Sequence, residues 1–164
     1  MSKRYDFRKY ESWSYDDDFC LKPPFLLKAS ILYLCRSLLL FGLFVISSTR
    51  GQVTGIEKLI PGGEHAAALA LSGIPALLVF YALLRRSPSG SGFARWVWQH
   101  GRTLLATSAV MEVCAALLFL YSGAAAVGEF GAVRFALLLL DVYILAYVLM
   151  SVRVRDTFSD FPAG

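Results

Sequence analysis

The 164-residue chain is 57% hydrophobic, has a mean hydropathy of +0.57 and carries a net charge of +4 at pH 7. This composition is too apolar for an ordinary soluble domain and predicts an integral membrane protein. The excess of basic residues is interpreted as a topology signal. A nucleic-acid-binding protein would need a basic face on a folded domain, and the predicted membrane segments leave no such domain outside the bilayer.

Residues 1–24 form a predicted polar and aromatic tail on the cytoplasmic side. Its aromatic residues, which run from Tyr5 to Phe19, alternate with charged ones. Such segments favour the headgroup zone, so we expect the tail to lie along the membrane surface. The run Asp16-Asp17-Asp18 lacks the spaced ligands and the glycine of a calcium loop and is interpreted as a solvated turn.

The first apolar stretch covers residues 25–46 and contains only two charged residues, Lys28 and Arg36. At about 1.5 Å per residue it is long enough to cross a hydrocarbon core of about 30 Å. A cleaved signal peptide is the alternative. It is disfavoured because a polar stretch of 24 residues precedes the segment and Arg36 interrupts its apolar part.

Three further apolar stretches follow, at residues 66–84, 103–121 and 135–152. The first has no charged residue, the second contains only Glu112, and the third contains only Asp141. These runs are continuous, whereas the strands of a transmembrane barrel alternate apolar and polar residues over about 10 positions. The predicted fold class is therefore all-α, a polytopic membrane protein built as a bundle of four transmembrane helices.

The connecting segments, residues 47–65, 85–102 and 122–134, are short and carry glycine, proline or serine turn signals. Residues 87–92 are predicted to be a flexible hinge. Phe93, Trp96 and Trp98 are interpreted as interfacial anchors. Most basic residues fall in the tail, in segment 85–102 and after residue 152, which places both termini in the cytoplasm.

The residues that could bind a metal or a cofactor are few and scattered. Cys20, Cys35 and Cys114 form no C-x-x-C pair, and His65 and His100 lie in different predicted loops on opposite sides of the membrane. Phosphate-binding loops, nucleophile elbows and zinc-protease motifs are absent from the sequence. We therefore expect no catalytic residues, no metal site and no cofactor.

One ionisable residue lies near the middle of each of three apolar stretches: Arg36, Glu112 and Asp141, here called the charge cluster. At about 1.5 Å per residue, all three lie about 14–16 Å from the cytoplasmic face. A charge in lipid is costly and persists when it is paired or functional. Arg36 can serve both carboxylates with its planar fork of donors. Ser108 and Thr107 provide the nearest hydroxyl groups on the helix of Glu112.

Three interpretations of the charge cluster remain open. The favoured one is structural, with Arg36 bridging the first helix to the third and fourth and fixing their register. In the second, one carboxylate stays unpaired and binds and releases a proton or a cation during transport. In the third, one or more of the charges pair with a helix of another chain.

The C-terminal segment also has two interpretations. The favoured one is a basic stop after the last helix followed by a short interfacial tail, because Arg153 and Arg155 suit the helix dipole and an anionic leaflet. The alternative is that Phe158 and Phe161 dock onto segment 85–102 or onto a partner.

Several short motifs spread over the chain, from about Tyr15 to Pro162, are fairly specific as a set. They are Tyr15-Asp16-Asp17 leading to Cys20-Leu21-Lys22-Pro23-Pro24, then Arg36, Trp98-Gln99-His100-Gly101-Arg102, Leu140-Asp141, and the run from Arg153 to Pro162. With them the chain resembles the YfeZ-like family of small bacterial inner-membrane proteins. The resemblance implies a multi-pass inner-membrane protein with four helices and no assigned function, and it implies no catalytic or ligand residues.

Taken together, these features predict a protein that is not an enzyme and that serves as a structural or accessory component of a membrane assembly. Its expected partners are the lipid bilayer and other membrane proteins or further copies of itself, and no nucleic acid. The alternative is a small proton- or ion-coupled transporter, or a channel-forming oligomer, that uses the charge cluster. A membrane-embedded enzyme that uses the carboxylates is the third option.

Overall fold

The computed structural model describes residues 10–16, 20–49, 63–87, 90–121 and 130–162, and these residues are mostly helical. The only strand-like contact among them is an isolated antiparallel bridge between Tyr15 and Leu21. The predicted all-α class is therefore confirmed. After a single 3-10 turn at Ser12–Ser14, the helices are α1 Phe25–Leu34, α2 Arg36–Thr49, α3 Gly63–Leu84, α4 Gly92–Gln99, α5 Gly101–Tyr121, α6 Phe130–Met150 and α7 Val152–Ser159.

Two stretches are long and apolar enough to cross a membrane, Phe25–Leu43 and Gly101–Leu118. A third candidate is Phe135–Met150 together with Val152–Ser159, a pair that is bent by 64°, and Ala70–Leu84 is a shorter apolar helix. By length and composition the described residues thus contain two or three candidate spans. The apolar helices indicate a membrane protein.

The helices pack around α3 and α5, which contact each other. α1, α2 and α4 also pack against α3, and α6 packs against α5. The buried core between them is apolar, with Leu27, Ile31, Val79, Leu105 and Val148 fully buried. Many leucines on the outer faces of these helices are exposed, including Leu39, Leu43, Leu118 and Leu139. Helices that are apolar on both the inner and the outer face are typical of proteins surrounded by lipid.

The first apolar stretch is interrupted at Cys35, between α1 and α2. Next to this break, side chains donate to main-chain carbonyls: Arg36 Nη1 lies 3.1 Å from the oxygen of Tyr33, and Ser37 Oγ lies 3.4 Å from that of Leu34. Such bonds compete with the regular helical pattern and locally disturb it. The break places Arg36 at the first position of α2.

At one end of the bundle, the polar segments form an ordered layer. This helix-end layer consists of residues 10–16 and 20–24, α4, α7 and residues 160–162. The side chain of Ser91 caps α4 by accepting from the amide of Ala94 at 3.2 Å, and that of Ser151 caps α7 by accepting from the amide of Val154 at 3.3 Å. Of residues 87–92, which were predicted to be a flexible hinge, 88 and 89 lie outside the described residues; from Gly92 onward, segment 85–102 is mostly helix.

Trp98 is the centre of the helix-end layer. Its side chain is fully buried, and Nε1 donates to the carbonyls of Thr157 at 3.0 Å and Asp160 at 3.1 Å. The interpretation of Trp98 as an interfacial anchor was therefore wrong, because α7 folds back over it, whereas Trp96 on the opposite face is 53% exposed.

The C-terminal segment docks onto the protein itself. The rings of Phe158 and Trp98 lie 4.9 Å apart, and Arg95 lies over the ring of Phe161 at 5.4 Å. Of the two interpretations of this segment, the alternative, docking of Phe158 and Phe161 onto segment 85–102, is thus confirmed. The described part of the tail of residues 1–24 also contacts the C-terminal segment, since Asp160 Oδ2 accepts from the amide of Leu21 at 2.9 Å.

Several helix boundaries differ from the predicted ones. α3 begins at Gly63, so His65 lies in the first turn of a helix and not in a loop. α6 ends at Met150, and the chain then turns into α7 at Ser151, where an unbroken helix to residue 152 was predicted. The tail residues Tyr5, Phe19 and Asp18 lie outside the described residues.

Candidate functional site

The structure brings Arg36 of α2, Glu112 of α5 and Asp141 of α6 together. Arg36 Nη1 lies 2.9 Å from Glu112 Oε2, and Arg36 Nη2 lies 3.3 Å from Asp141 Oδ1 and 3.4 Å from Oδ2. One guanidinium group therefore contacts two carboxylates from two other helices. Such a fork of charge-assisted contacts fixes orientation as well as distance.

The two carboxylates lie deeper in the bundle than the guanidinium group. The side chain of Glu112 is 1% exposed, that of Asp141 is 4% exposed, and that of Arg36 is 27% exposed. Tyr33 covers part of Arg36, whose guanidinium carbon lies 3.6 Å from the ring centroid, a cation–π contact. The cluster thus presents its positive member, and not its acids, to the outside of the bundle.

The oxygens of Glu112 differ in their partners. Oε1 accepts a hydrogen bond from Ser37 Oγ at 3.0 Å. Oε2 is buried and accepts no hydrogen bond in the described part of the chain; it lies 2.9 Å from Arg36 Nη1, which donates to the carbonyl of Tyr33. Glu112 Oε2 is therefore held by charge attraction without a hydrogen bond.

The hydroxyl groups expected near Glu112 were those of Ser108 and Thr107 on its own helix, but both have other partners. Ser108 Oγ donates to the carbonyl of Ser72 at 2.5 Å and ties α5 to α3, while Thr107 donates to the carbonyl of Thr103 at 2.9 Å. The hydroxyl that contacts Glu112 belongs to Ser37, which follows Arg36 in the chain. In the sequence, this contact was indicated only by the position of Ser37 directly after Arg36.

A glycine on α3 lets α2 approach the bundle at the level of the charge cluster. A Cβ on Gly73 would lie 3.0 Å from Leu38 Cβ and 3.2 Å from Ser37 Oγ. Small residues at such contacts allow close helix packing in membranes. Gly73 thus helps to bring Ser37 within reach of Glu112.

A second link joins the two outer helices next to the cluster. The hydroxyl of Tyr33 on α1 donates to the carbonyl of Leu137 on α6 at 3.3 Å. Together with the contact between Arg36 and Asp141, it connects the first helices of the chain directly to α6. The arrangement can hold helices in register, and its two carboxylates can bind a proton. Within residues 10–16, 20–49, 63–87, 90–121 and 130–162, no group of three histidine, cysteine or acidic residues is placed to hold a metal ion.

The apolar helices and the buried charges define the class of this molecule, a helical membrane protein. Residues 10–160 match the model of the family described as "Protein of unknown function (DUF2919)", and the chain belongs to this family. The matched range includes all three members of the charge cluster and nearly all of the helix-end layer. No curated protein and no solved structure matches the chain.

Proposed function

We propose that this protein is a four-helix inner-membrane protein, with both termini in the cytoplasm, that acts as a structural or accessory component of a membrane assembly. The observation that carries the proposal is the contact of one guanidinium group with carboxylates from two other helices. In this role Arg36 is a clamp between helices. The inner-membrane location follows the resemblance to the YfeZ-like family.

The length and position of α3 support a fourth span. The helix has 22 residues, which corresponds to about 33 Å. It packs between the first helices and α5. Because those helices contain candidate spans, a bilayer around them would also enclose α3. We therefore assign the spans to α1 with α2, α3, α5 and α6. The helix-end layer belongs to segments 1–24, 85–102 and 152–164, which together carry 11 of the 16 basic residues of the sequence, so it then lies on the cytoplasmic side.

The structural role makes a prediction about charge removal. Arg36→Gln leaves two buried carboxylates without a cation, and breaking a buried pair in this way costs about 3–5 kcal/mol. We expect a large fall in abundance in the membrane and in unfolding temperature in mild detergent. Adding Asp141→Asn removes one of the uncompensated acids, so the double variant should recover much of the loss.

Lys28→Gln is the matched control, because Lys28 is an exposed basic residue near the start of the same apolar stretch. If Arg36→Gln lowered abundance no more than Lys28→Gln, the clamp would be refuted. The assembly role is tested by the size of the wild-type protein in mild detergent, which should exceed that of an 18.1 kDa monomer with its bound detergent. A particle no larger than the monomer with its bound detergent would contradict it.

A small proton- or ion-coupled transporter is the second candidate, because the cluster has one carboxylate more than it has cations. In that case Glu112→Gln and Asp141→Asn would insert at normal abundance and abolish a pH-dependent transport signal in proteoliposomes.

A further inference from the structure

The charge cluster would carry one uncompensated negative charge if both of its acids were ionised. Arg36 is the cation that contacts both Glu112 and Asp141, and each carboxylate is at least 96% buried. Two ionised carboxylates on one guanidinium would place a net charge inside a bundle of apolar helices. Burying such a charge in an apolar environment costs free energy. Two neighbouring carboxyl groups avoid this cost when one of them keeps its proton.

Among the residues that the structure describes, no other group around Glu112 provides a second positive charge. The titratable and charged groups that face it are Arg36 from α2, Asp141 from α6, and Cys35 and Tyr33 from the end of α1. At this level α3 contributes Ser72 and Gly73, which do not titrate. Ser37 supplies a neutral hydroxyl.

A cation from outside the bundle is also disfavoured by the order of burial. The exposed member of the cluster is Arg36, with 27% of its side chain accessible, and the acids lie behind it. A basic side chain of a neighbouring helix would meet the guanidinium group and its cation–π partner Tyr33 first. Repulsion between like charges opposes that approach. A proton is held on a carboxyl oxygen and needs no additional space inside the cluster.

We propose that Glu112 and Asp141 together hold one exchangeable proton, so that the charge cluster is neutral. The proton belongs to the pair, as is usual for strongly interacting carboxyl groups. Raising the pH removes it and leaves the cluster with one net negative charge. This inference concerns the charge state of the cluster and goes beyond the proposed structural role, since a clamp that carries a net charge would still join the helices.

Infrared spectroscopy of the full-length protein in lipid nanodiscs tests the proposal, because a protonated carboxyl group has a C=O band distinct from that of a carboxylate. At neutral pH the wild type should show this band, with the small shift in deuterated water that marks an exchangeable proton. Glu112→Gln and Asp141→Asn should each abolish it, since the remaining acid pairs one to one with Arg36. Arg36→Gln should double it, since neither acid then has a cation.

Asp16→Asn is the control, because it removes an exposed carboxyl group of the helix-end layer and should leave the band unchanged. Absence of the band from wild-type protein at neutral pH would overturn the proposal, and this measurement needs no variant to fold. Persistence of the band in both single variants would also overturn it. So would loss of the band on adding Na⁺ or K⁺ at constant pH, which would identify a cation as the ligand. None of these results depends on the abundance of Arg36→Gln, so the proton and the clamp can fail separately.

Discussion

Arg86 and Arg102, two partly buried arginines next to the helix-end layer, have different partners from Arg36 of the charge cluster. Arg86 donates to the carbonyls of Leu21 at 2.9 Å and Asp160 at 3.4 Å, and Arg102 donates to the carbonyls of Val148, at 3.2 Å, and Leu149. These acceptors are neutral. In the charge cluster, Arg36 also donates to a carbonyl, that of Tyr33 at 3.1 Å, but in addition it contacts two carboxylates, at 2.9 Å and 3.3 Å.

The difference follows from the position of each arginine along the helices. The last carbonyls of a helix have no partner within it, so a side chain at a helix end finds neutral acceptors nearby. Arg36 lies beside the break at Cys35 and finds one such carbonyl, that of Tyr33, but the carbonyls within α5 and α6 are bonded inside their helices, so it meets these two helices through their acidic side chains. The helix-end layer therefore depends mainly on packing, and the charge cluster depends on charge balance.

Trp98→Ala should have the largest effect in the helix-end layer. It removes a fully buried indole that packs on Phe158 and donates to two carbonyls, and such truncations cost about 3–5 kcal/mol. We expect a markedly lower unfolding temperature in detergent. Trp96→Ala, which changes an exposed tryptophan of the same helix, is the control and should change it little. Equal effects of the two substitutions would show that Trp98 is not a centre of packing.

Much of the fold could be predicted from the sequence, because the apolar stretches determine where helices form in a membrane protein. What the sequence could not show was that the segments of the helix-end layer fold and pack against one another. The glycine and serine residues up to Gly92 predicted a flexible hinge, so the helix α4, which begins at Gly92, was not predicted. The burial of Trp98 depends on the turn at Ser151, since only that turn brings α7 back over the indole.

The candidate site could be predicted in part. Equal depth along three helices was enough to group Arg36, Glu112 and Asp141, and the structure places them in contact. The detailed contacts could not be predicted, because they depend on tertiary packing. The break at Cys35 directs Arg36 Nη1 towards a carbonyl of α1, and the close approach of α2 to Gly73 brings Ser37 to Glu112.

Gly101→Ala should have an intermediate effect and tests packing in the helix-end layer without removing any existing contact. A Cβ at this position would lie 2.4 Å from Cε1 and 2.7 Å from Cδ1 of Phe158, so the ring must shift. Such overpacking costs about 1–3 kcal/mol. Combining it with Phe158→Leu should recover part of the loss of unfolding temperature, because the smaller side chain makes room for the added methyl group.

Gly92→Ala is the matched control for this prediction, because a Cβ on Gly92, at the first position of α4, would meet no atom within 4 Å. It should leave the unfolding temperature unchanged or raise it slightly. A similar loss in both glycine variants would mean that Phe158 is not closely packed against α5, and the packing description of the helix-end layer would then be wrong.

Ser37→Ala should have the smallest effect and tests the charge cluster without changing any charge. It removes the hydroxyl that donates to Glu112 Oε1 at 3.0 Å, a loss of about 1 kcal/mol for a buried hydrogen bond. Ser30→Ala is the control, because that hydroxyl donates at 2.8 Å to the carbonyl of Leu26 within its own helix. We expect unfolding in detergent to show a larger loss for Ser37→Ala than for Ser30→Ala. High salt should leave this difference unchanged, because ions do not screen a buried contact. A difference that salt removes would place Glu112 in contact with solvent, contrary to the burial on which the charge cluster depends.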